Sequence, residues 1–185
     1  MSSIPLYLVR HGEAEAHWGQ SADPGLSKLG HRQADDCARE LAPRLGPGTA
    51  LFSSPLARAL QTAEPLARRM GVDVSVSESF REIPAPVPLS ERRDWLRGFM
   101  REAWTGQPDS LLNWRQRLLE ALHATSTPSV IFTHFLVINA VVGHSQGSER
   151  TLSFWPDNAS VTEIQLADGQ LTLRALGRAM ETVVN

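Results

Sequence analysis

Three short apolar runs of this 185-residue sequence end in residues able to handle an anion. Ile4 to Val9 is followed by Arg10 and His11, Ala50 to Ser53 by Ser54 with Arg58 close behind, and Ser129 to Thr133 by His134. Two guanidinium groups and two imidazoles, supplemented by the free N–H groups of helix starts, suit a tetrahedral oxyanion such as a phosphoryl group. Each cluster also has a plainer reading. Arg10 and His11 can be a strand-end pair satisfied by carboxylates, Arg58 a solvent-facing helix residue opposite an apolar stripe, and His134 a structural strand-end histidine.

The clusters converge only if the elements carrying them are neighbours. Ile4–Val9, Ala50–Ser53 and Ser129–Thr133 read as strands, and Val72, Val74 and Val76 alternate as a further one. Ser27 is an N-cap for a helix running to about Leu45, where Gly46-Pro47-Gly48 stops it. Ser54-Pro55 reads as a helix start with proline at its first position, and Leu56, Leu60, Ala63, Ala67 and Met70 form its apolar stripe up to Gly71. Helices are expected over Ser90–Thr105, over Asp109–Ala124 and from His134 to Val142. Pro84, Pro86 and Pro88 forbid helix and make a stiff loop. Asp168-Gly169 between Ser160–Leu166 and Leu171–Ala175 is a hairpin signal. Strands alternating with helices predict an α/β sandwich with a mostly parallel mixed sheet and an antiparallel C-terminal hairpin. In such sheets ligands bind beyond the carboxyl ends of the strands, where all three clusters lie.

Composition narrows the class. At 42% apolar residues the chain can bury a substantial core, so residues 1–185 are expected to form a single domain. Eighteen basic residues against 20 acidic ones, a net charge of −2, argue against nucleic acid as a partner. Lys28 is the only lysine, an arginine excess that fits a GC-rich genome as well as a preference for forked phosphate recognition. Cys37 stands alone, which excludes an intramolecular disulfide or a cysteine-based zinc cluster, and it is expected to be buried and inert. Met1 to Arg10 has neither a basic leader nor a membrane-length apolar run, so the expectation is a cytoplasmic protein with no membrane partner.

Leu8-Val9-Arg10-His11-Gly12-Glu13 resembles the signature of the histidine phosphatase superfamily, the phosphoglycerate mutase-like enzymes. Further segments match in order. Leu26–Ala34 resembles the family's first-helix start, and Ser53–Ala63 (Ser-Ser-Pro-Leu-Ala-Arg-Ala-Leu-Gln-Thr-Ala) its second motif. Phe80-Arg81-Glu82-Ile83 resembles its acidic segment, Thr133-His134 its second histidine and Asn158-Ala159-Ser160-Val161 its late strand. The resemblance implies a three-layer α/β/α sandwich and a phosphomonoester hydrolase that needs no metal or cofactor. It assigns His11 as the nucleophile, Arg10 and Arg58 as forks on the phosphoryl oxygens, and His134 as a further donor. Glu82 becomes the acid that protonates the leaving oxygen and then activates water. For this division His11 has to be neutral, held so by two guanidiniums, and Glu82 has to be raised by its apolar neighbours Ile83, Pro84 and Ala85.

The departures from the family pattern are as informative. Phe135 stands where the family has glycine, and its bulk is expected to narrow the phosphate's approach or rotate the local helix start. His17 stands about where many members of the family carry an asparagine that helps bind phosphate, and a histidine could substitute as a donor. The proline loop replaces a tryptophan and glycine pattern. No inserted segment of the kind carried by mutases fits, so net hydrolysis is favoured over phosphoryl transfer between sugar acids. The substrate is a small phosphorylated metabolite or a phosphoprotein. A protein-phosphohistidine phosphatase is the catalytic rival, with an open pocket as its mark. A non-catalytic phosphoryl-binding protein of the same fold is the alternative of another class.

Other residues carry competing readings. Glu82 can instead pair with Arg81, and Glu13 and Glu15 read as structural acids of the first loop. His17, Trp18 and Gln20 line the pocket or simply pack in that loop. His31, His123 and His144 lack ligand spacing. Trp95, Phe99 and Trp104 follow helical spacing and read as core, although tryptophans exposed on that helix would make a dimer face. Arg92, Arg93, Arg97 and Arg101 can hold a second anionic group, but a solvated face paired with Glu91, Asp94 and Glu102 is preferred. The leaving group is read by the loop after His11, the proline loop and the helices from Ser90 to Ala124.

Overall fold

A computed structural model of the chain describes residues 3–16 and 21–181. Six strands form one mixed sheet in the order β3-β2-β4-β1-β5-β6, with β1 Ile4–Arg10, β2 Ala50–Ser53, β3 Val74–Val76, β4 Ser129–Thr133, β5 Val161–Ala167 and β6 Gln170–Ala175. The pairs β1/β4, β2/β4 and β2/β3 are parallel, whereas β1/β5 and β5/β6 are antiparallel. Asp168 and Gly169 both take positive φ, 51° and 71°, as the tight turn of the β5/β6 hairpin demands.

The pleat sends alternate residues to two apolar layers. On one side Leu6, Leu8 and Ile131 meet α4 (Asp109–His123) and α5 (Phe135–Ser145), joined by Leu96 and Phe99 of α3 (Arg92–Phe99). On the other side Val9, Val130 and Phe132 meet α1 (Lys28–Leu41) and α2 (Ala57–Met70). The architecture is therefore the expected α/β/α sandwich. Every residue of β4 is buried, as befits a strand flanked on both edges and covered on both faces.

Several boundaries differ from their sequence expectations, each for a physical reason. Ser27 does cap α1, its side chain accepting from the Gly30 N–H, but the helix ends at Leu41 and continues as a 3₁₀ turn over Ala42–Arg44 because Pro43 cannot extend it. α2 begins at Ala57 rather than at Pro55, since Leu56 is extended and its N–H is taken by Ser54 Oγ at 3.2 Å. Its buried face is Arg58, Ala59, Thr62, Ala63, Pro65 and Leu66, rotated from the expected stripe. The helix expected over Ser90–Thr105 is α3 alone, preceded by a 3₁₀ turn at Leu89–Glu91. It stops at Phe99, whose carbonyl accepts from the Thr151 hydroxyl at 2.5 Å.

The tryptophans of this region are not the exposed ones that a dimer face on this helix would need. Trp104 is buried and Trp95 half-buried, and Trp95 stacks on Phe99 and Trp104 on Trp114 at centroid distances of 5.1 and 6.2 Å. Cys37 is buried as expected, and desolvation pushes its thiol up to about 12. Among the described residues no helix is long and apolar enough to cross a membrane.

Candidate active site

The strand order decides the convergence. β1, β4 and β2 are adjacent and parallel, with Arg10 level with Thr133 and Ser53 level with Phe132, so all three polar clusters leave the same end of the sheet side by side. Arg10, His11, Arg58, Glu82 and His134 are all buried there, each 7% exposed or less. That overturns the solvent-facing reading of Arg58. The rotation of α2 turns its second residue inward instead of outward.

His11 is held at both ring nitrogens. Nδ1 bonds the Gly12 carbonyl at 2.7 Å, and Arg58 Nε donates to Nε2 at 3.2 Å. The guanidinium is a donor only, so Nε2 is the acceptor, the proton sits on Nδ1, and the Nε2 lone pair faces the arginine. Burial holds His11 well below the usual histidine value, helped by the Arg10 and Arg58 charges and opposed by the Gly12 carbonyl. The sequence argument assigned this depression to the two arginines; desolvation is the larger cause.

Arg10 enters from the opposite side. One Nη donates to the Pro156 carbonyl at 2.8 Å and lies 3.3 Å from the Met180 sulfur, while its Nε is buried with no partner among the described residues. Burial brings the Arg10 guanidinium down to about 10, against the pull of Glu82 and Asp157. Phe135 lies beneath it. The Phe135 ring is buried, 5.3 Å from the Arg10 guanidinium carbon and 5.2 Å from the Trp155 ring, and is not among the cavity-lining residues. The expected narrowing of the phosphate approach therefore does not occur, and α5 starts regularly behind its N-cap, His134.

His134 shares a hydrogen bond of 2.7 Å between its Nε2 and Ser54 Oγ. Its Nδ1 is buried with no partner among the described residues, and its ring centroid is 5.4 Å from that of His11. Burial first, then His11 and three arginines, hold it well below the usual value. A buried imidazole nitrogen left unsatisfied beside His11 calls for a partner that the described residues do not provide.

Glu82 does not pair with Arg81, which bonds Glu78 instead, at 2.8 Å. The Glu82 carboxyl accepts from the Ile83 N–H at 3.0 Å and from the Leu136 N–H, in the first turn of α5, at 3.3 Å. Burial raises it above the ordinary carboxylate value, and those amides and the Arg58 charge only partly offset this.

Several supporting residues escaped sequence reasoning. Thr62 Oγ1 accepts the Gly12 N–H at 3.0 Å and donates to the Arg58 carbonyl at 2.6 Å, tying the His11 loop to the helix that carries Arg58. An exposed-looking threonine one turn beyond Arg58 was the available signal. Gly12 also crosses α1 too closely for a side chain, since a Cβ there would lie 2.6 Å from the Gly30 carbonyl oxygen. Glu13 is structural, as expected, accepting from the Ser27 hydroxyl at 2.7 Å. Met180, brought back by pairing of Pro156 with Ala179, was not legible at all. His17, with Trp18 and Gln20, lies outside the described residues.

Above these groups opens a cavity of about 560 Å³, lined by Arg10, His11, Arg58, Arg92, Arg93 and Asn158 among others. Such a volume suits a small metabolite. A neutral buried imidazole with an unprotonated Nε2, forked cations and a carboxyl of raised affinity for its proton can together accept, hold and release a phosphoryl group. Among the described residues no group of three His, Cys, Asp or Glu side chains is arranged to hold a metal ion.

Known proteins resemble the chain in sequence and in fold. The chain is 33% identical over 129 residues to a probable phosphoglycerate mutase of Proteus mirabilis, covering 63% of this chain and 57% of that one. It is 31% identical over 155 residues to the glucosyl-3-phosphoglycerate phosphatase of Mycolicibacterium vanbaalenii, covering 78% and 65%. The chain thus spans less than two thirds of the length of either relative. The solved structure of a mycobacterial glucosyl-3-phosphoglycerate phosphatase superposes with a TM-score of 0.74 at 23% identity, over 96% of this chain and 100% of that one. A family model described as the histidine phosphatase superfamily (branch 1) matches residues 6–179, so the chain belongs to that superfamily.

Proposed function

We propose that the chain, working as one domain, hydrolyses small phosphomonoesters through a phosphohistidine intermediate on His11. In the first step the Nε2 lone pair attacks phosphorus, the bond from phosphorus to the leaving oxygen breaks, and the proton held by Glu82 passes to that oxygen. Arg10 and Arg58 hold the non-bridging oxygens, with His134 Nδ1 as a third donor as charge builds. In the second step Glu82, now a carboxylate, takes a proton from water as the water attacks phosphorus and the P–N bond breaks. Phosphate leaves, and His11 and Glu82 return to their starting protonation states.

The observation that carries this reading is the pair of bonds on His11. Gly12 holds the proton on Nδ1, and Arg58 marks where Nε2 points. A phosphoryl-binding protein without turnover has no need of a buried neutral imidazole beside a carboxyl of raised proton affinity. The volume of the cavity, about 560 Å³, is of metabolite size and supports a small substrate. The phosphatase relative, whose name carries a phosphorylated sugar acid, points the same way.

Phosphate release from a panel of phosphomonoesters and a phosphohistidine peptide, with a chelator throughout, tests the proposal. Wild type is expected to turn over small esters while His11→Ala does not, with acid-labile phosphate trapped on the wild-type protein after rapid quench. Equal background from both proteins would overturn it, and preference for the peptide would move the substrate to phosphoprotein.

A further inference from the structure

Ser54 is placed by the sheet, and its one side-chain oxygen serves two partners. The pairing of β2 with β4 runs one bond past Ser53, the Ser54 N–H donating to the Phe132 carbonyl at 3.0 Å. That brings its side chain beside His134, two residues beyond Phe132. Oγ accepts the Leu56 N–H at 3.2 Å and lies 2.7 Å from Nε2 of His134, and both Ser54 and His134 are fully buried. The proposed mechanism asks Nδ1 of His134 to donate. A neutral imidazole does so only when its proton sits on that nitrogen.

The hydrogen bonds of Ser54 decide which nitrogen that is. A hydroxyl has one proton to give and two lone pairs to receive, and one lone pair takes the Leu56 N–H. Burial and the surrounding cations keep His134 neutral, so it carries a single ring proton. Were that proton on Nε2 and donated to Ser54, the serine proton would have no acceptor among the described residues, and Nδ1 would be a second unsatisfied atom. Two buried polar groups without partners are costly. Donation from Ser54 to Nε2 leaves one, the Nδ1–H, which a phosphoryl oxygen would satisfy. The bond made by one imidazole nitrogen thus sets the state of the other.

We infer that Ser54 is a positioning residue whose hydroxyl donates to Nε2 of His134 and so fixes the tautomer that presents an Nδ1–H to the transferring phosphoryl group. Its consequence for turnover rests on the hydrolase reading, whereas the tautomer itself does not. His11 and His134 then both carry their proton on Nδ1, yet opposite nitrogens are used: His11 offers the Nε2 lone pair, and His134 the Nδ1 proton. Through Leu56 the same oxygen also anchors the entry to α2, the helix that carries Arg58.

NMR of the histidine ring nitrogens in the isotope-labelled full chain reads the tautomer directly, with His134 assigned from the signals lost in His134→Gln. Wild type is expected to show a protonated Nδ1 and a bare Nε2 at His134, and a proton on Nε2 would overturn the inference. This spectrum decides even if Ser54→Ala does not fold. In folded Ser54→Ala the form protonated on Nε2 should appear, and Ser54→Thr, which keeps the hydroxyl, should return the wild-type pattern. An unchanged tautomer in Ser54→Ala would reduce Ser54 to a cap of α2 and sink the proposal. Kinetics give the second arm. Ser54→Ala should lower kcat about 10- to 100-fold with KM nearly unchanged, less than loss of a whole donor because part of the population keeps the active tautomer. In a His134→Gln background the same change should cost little more, whereas additive losses would overturn the coupling through His134. The expected tautomer in a wild type that turns over no ester would keep the assignment of Ser54 and remove the hydrolase.

Discussion

Arg58 donates its Nε proton to Nε2 of His11 across 47 residues of sequence, and thereby marks the nitrogen on which phosphoryl transfer is proposed. In the proposed mechanism a phosphoryl group arriving at Nε2 would displace this contact, turning the guanidinium from the nucleophile to the transferring oxygens. Arg58→Met is expected to lower kcat/KM by about 10²- to 10³-fold, the scale of losing one preorganised donor. It should also shift the acid limb of the pH–rate profile upward, because one of the charges that keep His11 neutral is gone. An unmoved acid limb, followed with a chromogenic phosphate ester, would contradict this coupling.

Glu82 is the proposed acid, and its role separates by leaving group. Glu82→Gln should slow phosphorylation of His11, read as single-turnover release of the leaving group, by roughly 10²- to 10⁴-fold with alkyl phosphates and far less with p-nitrophenyl phosphate, since nitrophenolate departs without a proton. Because burial raises the carboxyl above its ordinary value, wild-type activity should fall on the alkaline side as Glu82 ionises, and this limb should disappear in the variant. Equal losses for both ester types would remove Glu82 from the leaving-group step.

Thr62 acts through Gly12. Thr62→Val leaves the buried Gly12 N–H without its acceptor, a cost of about 1–3 kcal/mol in stability. The carbonyl of the same glycine orients His11, so kcat should fall more than KM rises, and Thr62→Ser should restore both. Denaturant unfolding together with kinetics of the two variants checks this.

Phe135→Gly, the change toward the usual family residue, should gain no activity. The ring packs against Trp155 and under Arg10 outside the cavity lining, so its removal leaves a core void worth about 3–5 kcal/mol rather than a wider pocket. A stable variant with a broader substrate range would refute that placement.

Stability should depend on pH through the two buried histidines. Both have folded values well below the ordinary 6.5, so the unfolded chain binds the extra protons. Their contribution is complete above about pH 6.5 and declines below it, by up to about 1.4 kcal/mol per pH unit for each histidine. Glu82 works in the opposite sense, its raised folded value costing stability as pH climbs above the ordinary carboxylate value. Urea unfolding between pH 5 and 7.5 should show the acid slope, and His134→Gln should remove about one proton from it.

Much of the fold was legible because its signals are local. The Ser27 cap, the β4 run Ser129–Thr133 and the Asp168-Gly169 hairpin each depend on residues within a few positions of one another, where periodicity and turn chemistry act. The residue types at the strand ends were equally plain, and with them Arg10, His11, Arg58 and His134, whereas Glu82 was reached only through the family resemblance. The expected start and stripe of α2 missed because Ser54 binds the Leu56 N–H and delays the helix, a competition no periodicity records.

What the sequence by itself determined is thus the order of elements and the inventory of reactive groups. Only the tertiary structure decided that β1, β4 and β2 lie side by side, that Arg58 turns inward, that Thr62 reaches Gly12, and that Met180 returns to Arg10 across 170 residues. It also decided that Arg92 and Arg93 line the cavity while Arg97 of the same arginine group pairs with Asp94 as expected. The reason is the range of the forces involved. Propensity and capping are fixed within a turn or two, whereas strand pairing and the burial of a guanidinium depend on which distant surfaces the closed sheet brings together.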